Sequence, residues 1–315
     1  MAARAENLNW LVVGIGDITT RRVIPALQAE PRSNLYGVVS RDRAKGAQYS
    51  DRVWTDLAEA LRDRSIDAVY VATPVFLHAP QSIAALQAGK HVLCEKPVAM
   101  NYPDAARMVS VAEETGRTLG IAYYRRMYLK VQRARELLEQ GAIGRPVLAE
   151  INCHDWFQTK DGHRSWLVDP KQSGGGPLYD IASHRIDVLN FLFGKPARVS
   201  GHLSNVVRGL AVEDSATVMI DYENGVRGIV DVRWHSHTPR DEFRIIGVDG
   251  EMVLTPLSGP KLSYPGARED LPAHSNLHYP CVENFVAAVL DGAHLYASGE
   301  SSIWTDWVTE RALGK

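Results

Sequence analysis

The sequence predicts an α/β protein in two parts: a doubly wound parallel sheet first, then a second α/β domain on a largely antiparallel sheet. Three observations carry this. Strand-like and helix-like patterns alternate six times over residues 1–124, as in a parallel sheet with helices on both faces. A glycine turn, Gly14-Ile15-Gly16, stands between the first strand and the first helix, where dinucleotide-binding sheets place theirs. From Ala197 to Pro256 apolar residues alternate strand by strand, with hairpin turns at Glu223-Asn224-Gly225 and Asp249-Gly250.

The totals agree. A chain of 315 residues suits about two domains, and the change of texture after Tyr124 sets them at 1–124 and 125–315. Hydrophobic residues are 45% and charged residues 23%, the usage of a globular chain. Lys+Arg number 35 against 37 Asp+Glu, so no global field favours nucleic acid or a membrane surface, and a small-molecule partner is expected. Cys94, Cys153 and Cys281 are too scattered for a disulfide framework or a thiolate metal site. The N-terminus carries no signal core, and no apolar run reaches the ~18 residues of a membrane span. A cytoplasmic protein is expected.

Asn9–Val13 reads as a buried strand, followed by Gly14-Ile15-Gly16-Asp17-Ile18-Thr19 and an amphipathic helix to about Ala29. Gly14 permits the tight turn, and Gly16 lets the backbone approach a pyrophosphate seated on the helix N-terminus. Thr19 fills the third position of the Gly-x-Gly-x-x-Gly fingerprint, so the helix is expected to stand slightly further from the strand. The second strand, Leu35–Val39, ends in Ser40-Arg41-Asp42-Arg43. An acidic residue at this point accepts from the ribose of NAD, whereas a hydroxyl and a guanidinium suit a 2′-phosphate. Ser40 and Arg41 therefore predict NADP over NAD, and Asp42 keeps NAD open through a one-residue shift.

Strand Asp67–Ala72 runs into Thr73-Pro74, with His78 on the loop or first turn that follows. Helix Pro80–Gly89 then leads into strand His91–Cys94, where the polarity changes abruptly at Glu95-Lys96-Pro97. Pro97 stops the ladder because it has no N–H to donate. Ligands of such sheets bind at the strand carboxyl ends, which makes Thr73, Pro74, His78, Glu95 and Lys96 cofactor-side candidates alongside the glycine turn and Ser40-Arg41. Asn101 suits the N-cap of a helix to about Thr115, and strand Thr118–Tyr123 completes the alternation.

Beyond Tyr124, helix Leu129–Glu139 closes on Gly141, and Val147–Trp156 reads as a long strand. A polar stretch from Gln158 to Ser173, with His163, Arg164, Trp166 and Asp169, reads as a loop over the site. Gly174-Gly175-Gly176 lets the backbone pass close to something, and Pro177 suits a first helical turn. Asp180 and His184, four apart, share one helix face. Such a pair is a reasonable acid–base device, and the same spacing is common on solvated faces. Helices Tyr279–Leu290 and Ser301–Leu313 close the chain. His235 with His237 and His274 with His278 share sides of a strand and of a helix, but lack Cys or Glu at metal spacing, so no metal is expected. One face of the antiparallel sheet is left for a partner subunit, which predicts a homo-oligomer.

Taken together, Gly14-x-Gly16, Thr73-Pro74 with His78, Glu95-Lys96-Pro97, and Gly174-Gly175-Gly176 leading to Asp180-x-x-x-His184 resemble the glucose–fructose oxidoreductase/inositol dehydrogenase/MocA family over nearly the whole chain. The resemblance implies an N-terminal Rossmann domain, a C-terminal α/β domain with an open, mostly antiparallel sheet, and a Lys–Asp–His constellation over a nicotinamide. By that likeness Lys96 hydrogen-bonds the reacting oxygen, His184 exchanges its proton, and Asp180 orients the substrate. Val75 departs from the Asn that many relatives carry after Thr-Pro. Tyr124, Arg126, His154, Trp156, Arg164 and Trp166 are substrate-side candidates suited to a sugar or cyclic polyol, and a structural role fits each singly as well. The expected activity is hydride transfer between NADP (or NAD) and such a substrate. The alternatives are a dinucleotide-sensing regulator, against which the intact Lys96, Asp180 and His184 argue, and a redox-neutral enzyme with tightly held cofactor.

Overall fold

The computed structural model describes residues 6–158 and 165–314, which form two compact units. The first contains the chain up to Ala99, Pro103–Tyr124 and His274–Ile303; the second contains Met100–Tyr102, Arg125–Ala273 and the chain from Trp304.

In the first unit, Leu8–Val13 (β1), Ser33–Val39 (β2), Val53–Trp54 (β3), Ala68–Val71 (β4), His91–Cys94 (β5) and Leu119–Ile121 (β6) form one sheet in the order β3-β2-β1-β4-β5-β6. Every neighbouring pair is parallel. The apolar runs of β1 and β4 are buried throughout, as strands covered on both faces must be. The strand order reverses between β1 and β4, the topological switch point at which open α/β sheets bind ligands.

The helix after the glycine turn begins as a π turn, Thr19–Val23, before the α-helix Ile24–Ala29. Thr19 is fully buried, and its Oγ1 donates to the Gly14 carbonyl at 2.8 Å. The hydroxyl thus braces the turn, where a spacer was expected.

Helix Tyr279–Asp291 returns to this same unit. Its Phe285 packs against Trp10 with ring centroids 5.3 Å apart, and a Cβ on Gly120 would come within 2.8 Å of the Phe285 ring. The buried face Cys281, Val282, Phe285 and Val286 drives the packing. A single boundary after Tyr124 misses this return. The helix starts at Tyr279 with Pro280 in its first turn, the position that tolerates a missing N–H. His274 and His278 precede it and share no helix face.

In the second unit, eight strands form one sheet: Pro146–Trp156 (β7), Pro196–Ser204 (β8), Ser215–Tyr222 (β9), Arg227–Arg233 (β10), His235–Gly247 (β11), Gly250–Val253 (β12), Lys261–Tyr264 (β13) and Ala267–Asp270 (β14). Their order is β14-β13-β12-β11-β7-β10-β9-β8. All neighbours are antiparallel except β7 and β10. The last two strands lie beyond the Pro256 limit of the expected strand region. Alternation buries Val218 and Ile220 of β9 with Val230 and Val232 of β10. Helix Ser183–Phe193 covers that face, its Leu189 lying 3.1 Å from where a Gly228 Cβ would stand. Thr217 and Met219 of β9 are exposed on the other side. No helix among the described residues is long and apolar enough to cross a membrane.

Candidate active site

At the end of β1, Gly14 has φ +93°, and a Cβ there would lie 2.8 Å from the Ala72 carbonyl oxygen. Only glycine fits this backbone. Gly16 answers differently: a Cβ would meet nothing within 4 Å among the described residues. Open space over its backbone is what close approach of a pyrophosphate requires, so the turn fits a dinucleotide. Asp17 is exposed and pairs with Arg21 at 3.4 Å, while Ile18 is half-buried.

After β2, Ser40 is buried with its Oγ donating to the Asp42 carbonyl at 2.7 Å. The Asp42 carboxylate caps the short helix Arg43–Gly46, accepting from the Lys45 N–H at 3.0 Å. Arg43 donates to the Val53 carbonyl. Arg41 is exposed.

Beyond β4, the Thr73 hydroxyl donates to Gln81 Oε1 at 2.7 Å, and Pro74 is half-buried. His78 is buried, with Nδ1 2.9 Å from the Pro97 carbonyl and Nε2 2.9 Å from the Thr73 carbonyl. A neutral imidazole donates to only one of these. Burial lowers its pKa; the two carbonyls and Glu95 oppose that shift, and Lys96 adds to it. His78 thus ties the exits of β4 and β5 together, a framework role where a cofactor contact was expected.

Glu95 turns inward too. It accepts from the Tyr70 hydroxyl at 2.8 Å and faces His278 Nε2 at 3.0 Å. Burial, which would raise its pKa, is outweighed by His278, by the hydrogen bonds from His278 and Tyr70, and by Lys96, leaving the carboxyl below its usual value. Lys96 itself is half-buried directly after it. Tyr124, also in this unit, is buried with its ring 4.9 Å from that of His278.

In the second unit, the three glycines make room for the chain's own groups. A Cβ on Gly174 or Gly175 would stand 2.6 Å from the Tyr179 ring, and one on Gly176 would stand 2.1 Å from the Glu213 carbonyl oxygen. Glu213 Oε1 accepts from the Leu178 N–H at 3.1 Å. Burial raises the Glu213 pKa, opposed by backbone donors that include the Gly176 and Leu178 N–H groups.

Leu178–Ala182 is a π turn, with the Ser183 N–H bonded to the Leu178 carbonyl, before the α-helix from Ser183. Asp180 lies in the widened turn and His184 in the α segment. The extra residue shifts their alignment from the one-face spacing expected of a regular helix. Asp180 is half-buried and His184 is buried.

Of the substrate-side candidates, Arg126 is 1% exposed and pairs with buried Asp187, Nε to Oδ2 at 2.9 Å. It is a core ion pair, closed to a ligand. His154 Nε2 lies 2.7 Å from Asp231 Oδ2, and Asp231 also receives Arg233 at 2.8 Å. Asp231 alternates with the buried Val230 and Val232, so His154 is on the sheet face opposite the helix that carries His184. Trp156 stacks on His237 at 3.8 Å, and Arg208 lies over it at 4.7 Å. Trp166 presents an exposed ring on the turn Ser165–Val168. His163 and Arg164 lie outside the described residues. Among the described residues no three His, Cys, Asp or Glu side chains gather as a metal site.

Residues 8–123 match the family model for an oxidoreductase family with an NAD-binding Rossmann fold, and residues 131–253 match that for the GFO/IDH/MocA C-terminal domain. The chain belongs to the Gfo/Idh/MocA oxidoreductase family. It is 29% identical over 310 residues to the 1,5-anhydro-D-fructose reductase of Ensifer adhaerens, covering 94% of this chain and 92% of that one. It is 31% identical over 282 residues to a dTDP-3,4-didehydro-2,6-dideoxy-alpha-D-glucose 3-reductase of Streptomyces violaceoruber, covering 84% and 80%. The solved structure of an oxidoreductase from Thermotoga maritima has the same fold, with a TM-score of 0.87 at 24% identity over 98% of this chain and 96% of that one.

This Gfo/Idh/MocA member is an NAD(P)-dependent oxidoreductase, and its first unit carries the NAD(P)-binding Rossmann domain. Sequence reasoning missed Tyr70 and His278 beside Glu95, and Asp187 beside Arg126. The one available signal was Asp187 itself, an acid set among Ile186, Val188 and Leu189 on an apolar helix.

Proposed function

We propose that this Gfo/Idh/MocA enzyme interconverts the hydroxyl and carbonyl forms of a sugar, cyclic polyol or related compound, with NADP preferred over NAD. The observation that carries the cofactor choice is the exit of β2, where Arg41 is exposed while the Asp42 carboxylate is engaged in capping. A guanidinium matches a 2′-phosphate in charge and in forked geometry. Similarity to two reductases named for sugar substrates supports the substrate class.

In this reading Gly14, Gly16 and the following helix start hold the pyrophosphate. When bound, the nicotinamide supplies or accepts the hydride. Lys96 donates a hydrogen bond to the reacting oxygen and stabilises the charge that develops there. His184 takes the hydroxyl proton in oxidation and returns it in reduction, and Asp180 orients the substrate. Trp166, with its exposed ring, offers an apolar face to a sugar. The side of the second sheet on which Thr217 and Met219 are exposed is proposed to pair with a second copy of the chain.

Steady-state kinetics with both cofactors tests the assignment. Arg41→Ala is expected to raise KM for NADP by about tenfold, near 1.4 kcal/mol, and to leave KM for NAD unchanged. A wild-type preference for NAD, or an equal effect on both cofactors, would overturn the NADP reading.

A further inference from the structure

Glu95 is 7% exposed, yet three groups of the first unit converge on its carboxylate. Oε1 receives the Tyr70 hydroxyl from β4 and faces Nε2 of His278, which is 183 residues away in sequence. Oε2 lies 3.3 Å from the backbone N–H of Lys96. His278 is 1% exposed. Its backbone N–H donates to Asn276 Oδ1 at 3.0 Å, its ring packs on Tyr124, and its Nδ1 is buried without a hydrogen-bond partner among the described residues. The ring is therefore fixed with one nitrogen directed at the carboxylate.

We propose that Tyr70 and His278 are positioning residues for the oxidoreductase reaction, acting through Glu95 on the chain at Lys96. The inference rests on the reading of Lys96 as the hydrogen-bond donor to the reacting oxygen. A buried carboxylate is costly unless donors replace the water it has lost. Tyr70 and His278 are those donors, and they leave the other oxygen facing the Lys96 backbone. Apolar packing would close the same space at lower cost, but it would not set a direction; a charge-assisted hydrogen bond does. Catalysis is sensitive to displacements well under an ångström in the groups that meet the reacting atoms.

The charged and titratable groups facing Glu95 are Tyr70 from β4, His278 ahead of the helix Tyr279–Asp291, His78 from the helix after β4, and Lys96 beside it. With a donor removed, the balance shifts toward burial and the carboxyl takes up a proton at higher pH. The Lys96 N–H then loses its charged acceptor. Activity should fall on the acid side and return as pH rises and Glu95 ionises again.

The test is kcat and KM against pH for Tyr70→Phe, His278→Ala and His278→Gln. The assay is oxidation of NADPH with a panel containing 1,5-anhydro-D-fructose and simple ketoses, and NADPH affinity is measured in parallel by fluorescence. Tyr70→Phe and His278→Ala are expected to lose kcat by about tenfold to a hundredfold, most at low pH, with NADPH affinity retained. His278→Gln, which keeps an N–H donor, is expected to recover much of the loss. Folded variants with wild-type kcat and pH profile overturn the proposal, as does a loss independent of pH that His278→Gln does not relieve. If His278→Ala does not fold, Tyr70→Phe decides. Lys96→Ala separates the two layers. Full activity there removes the underlying reading, whereas its loss beside unaffected Tyr70 and His278 variants removes only the brace.

Discussion

A Cβ on Gly14 would stand 2.8 Å from the Ala72 carbonyl at φ +93°, whereas one on Gly16 would touch nothing within 4 Å among the described residues. Gly14→Ala is thus a folding lesion, expected to cost about 1–3 kcal/mol in denaturant unfolding. Gly16→Ala should leave the unfolding midpoint nearly unchanged and weaken NADPH binding by about tenfold, ~1.4 kcal/mol. Arg126→Ala would strand Asp187, whose pKa burial already pushes up against the pull of Arg126. A loss of about 3–5 kcal/mol is expected, seen as a lower urea midpoint, with KM for the sugar unchanged in the folded protein. The glycine turn was legible in the sequence because its residues are contiguous and its backbone demands are local. Arg126 was not, since a surface arginine and a buried one read alike until the partner is found. The glycines at 174–176 did signal a close approach, but what approaches is Tyr179 and the Glu213 backbone.

Strand β5 shows the same physics over a whole element. At its start the His91 Nδ1 accepts from the Thr118 N–H at 3.1 Å, tying β5 to the chain entering β6. Burial, helped by Arg117, holds the His91 pKa at about 4 instead of 6.5. Between those values the unfolded chain binds a proton that the folded one refuses, so stability falls as pH drops from 6.5 through about 4. Urea unfolding across that range should show His91→Asn, which keeps an acceptor, losing less stability than wild type on acidification; parallel losses would refute the assignment. The strands β1, β4 and β5 were readable because parallel strands are apolar throughout. The π turns at Thr19–Val23 and Leu178–Ala182 were not, because a single widened turn is defined by its backbone hydrogen bonds and no residue type marks where it falls. Strands β13 and β14 are four residues each and largely polar, too short for alternation to register.

For the molecule as a whole, the formal net charge of −2 supplies little long-range steering, which leaves recognition to local groups, a part proposed here for Arg41. The two architectures were legible from the switch between patterns of helix-separated strands and patterns of hairpins. The return of residues 274–303 to the first unit was not, because nothing local to that segment names its docking surface; Phe285 declares it only when Trp10 and Gly120 are brought alongside. His278 was hidden for the same reason. Lys96, placed after β5 at the carboxyl end of the Rossmann sheet, is proposed to serve the reacting oxygen of a sugar-like substrate. That role is checked by comparing wild type and Lys96→Ala in NADPH oxidation over a panel of keto sugars, with NADPH binding followed by fluorescence. The expected result is turnover by wild type on at least one member, and a variant that binds NADPH as tightly but turns over about a hundredfold slower or worse. Undiminished turnover by Lys96→Ala would rule that role out.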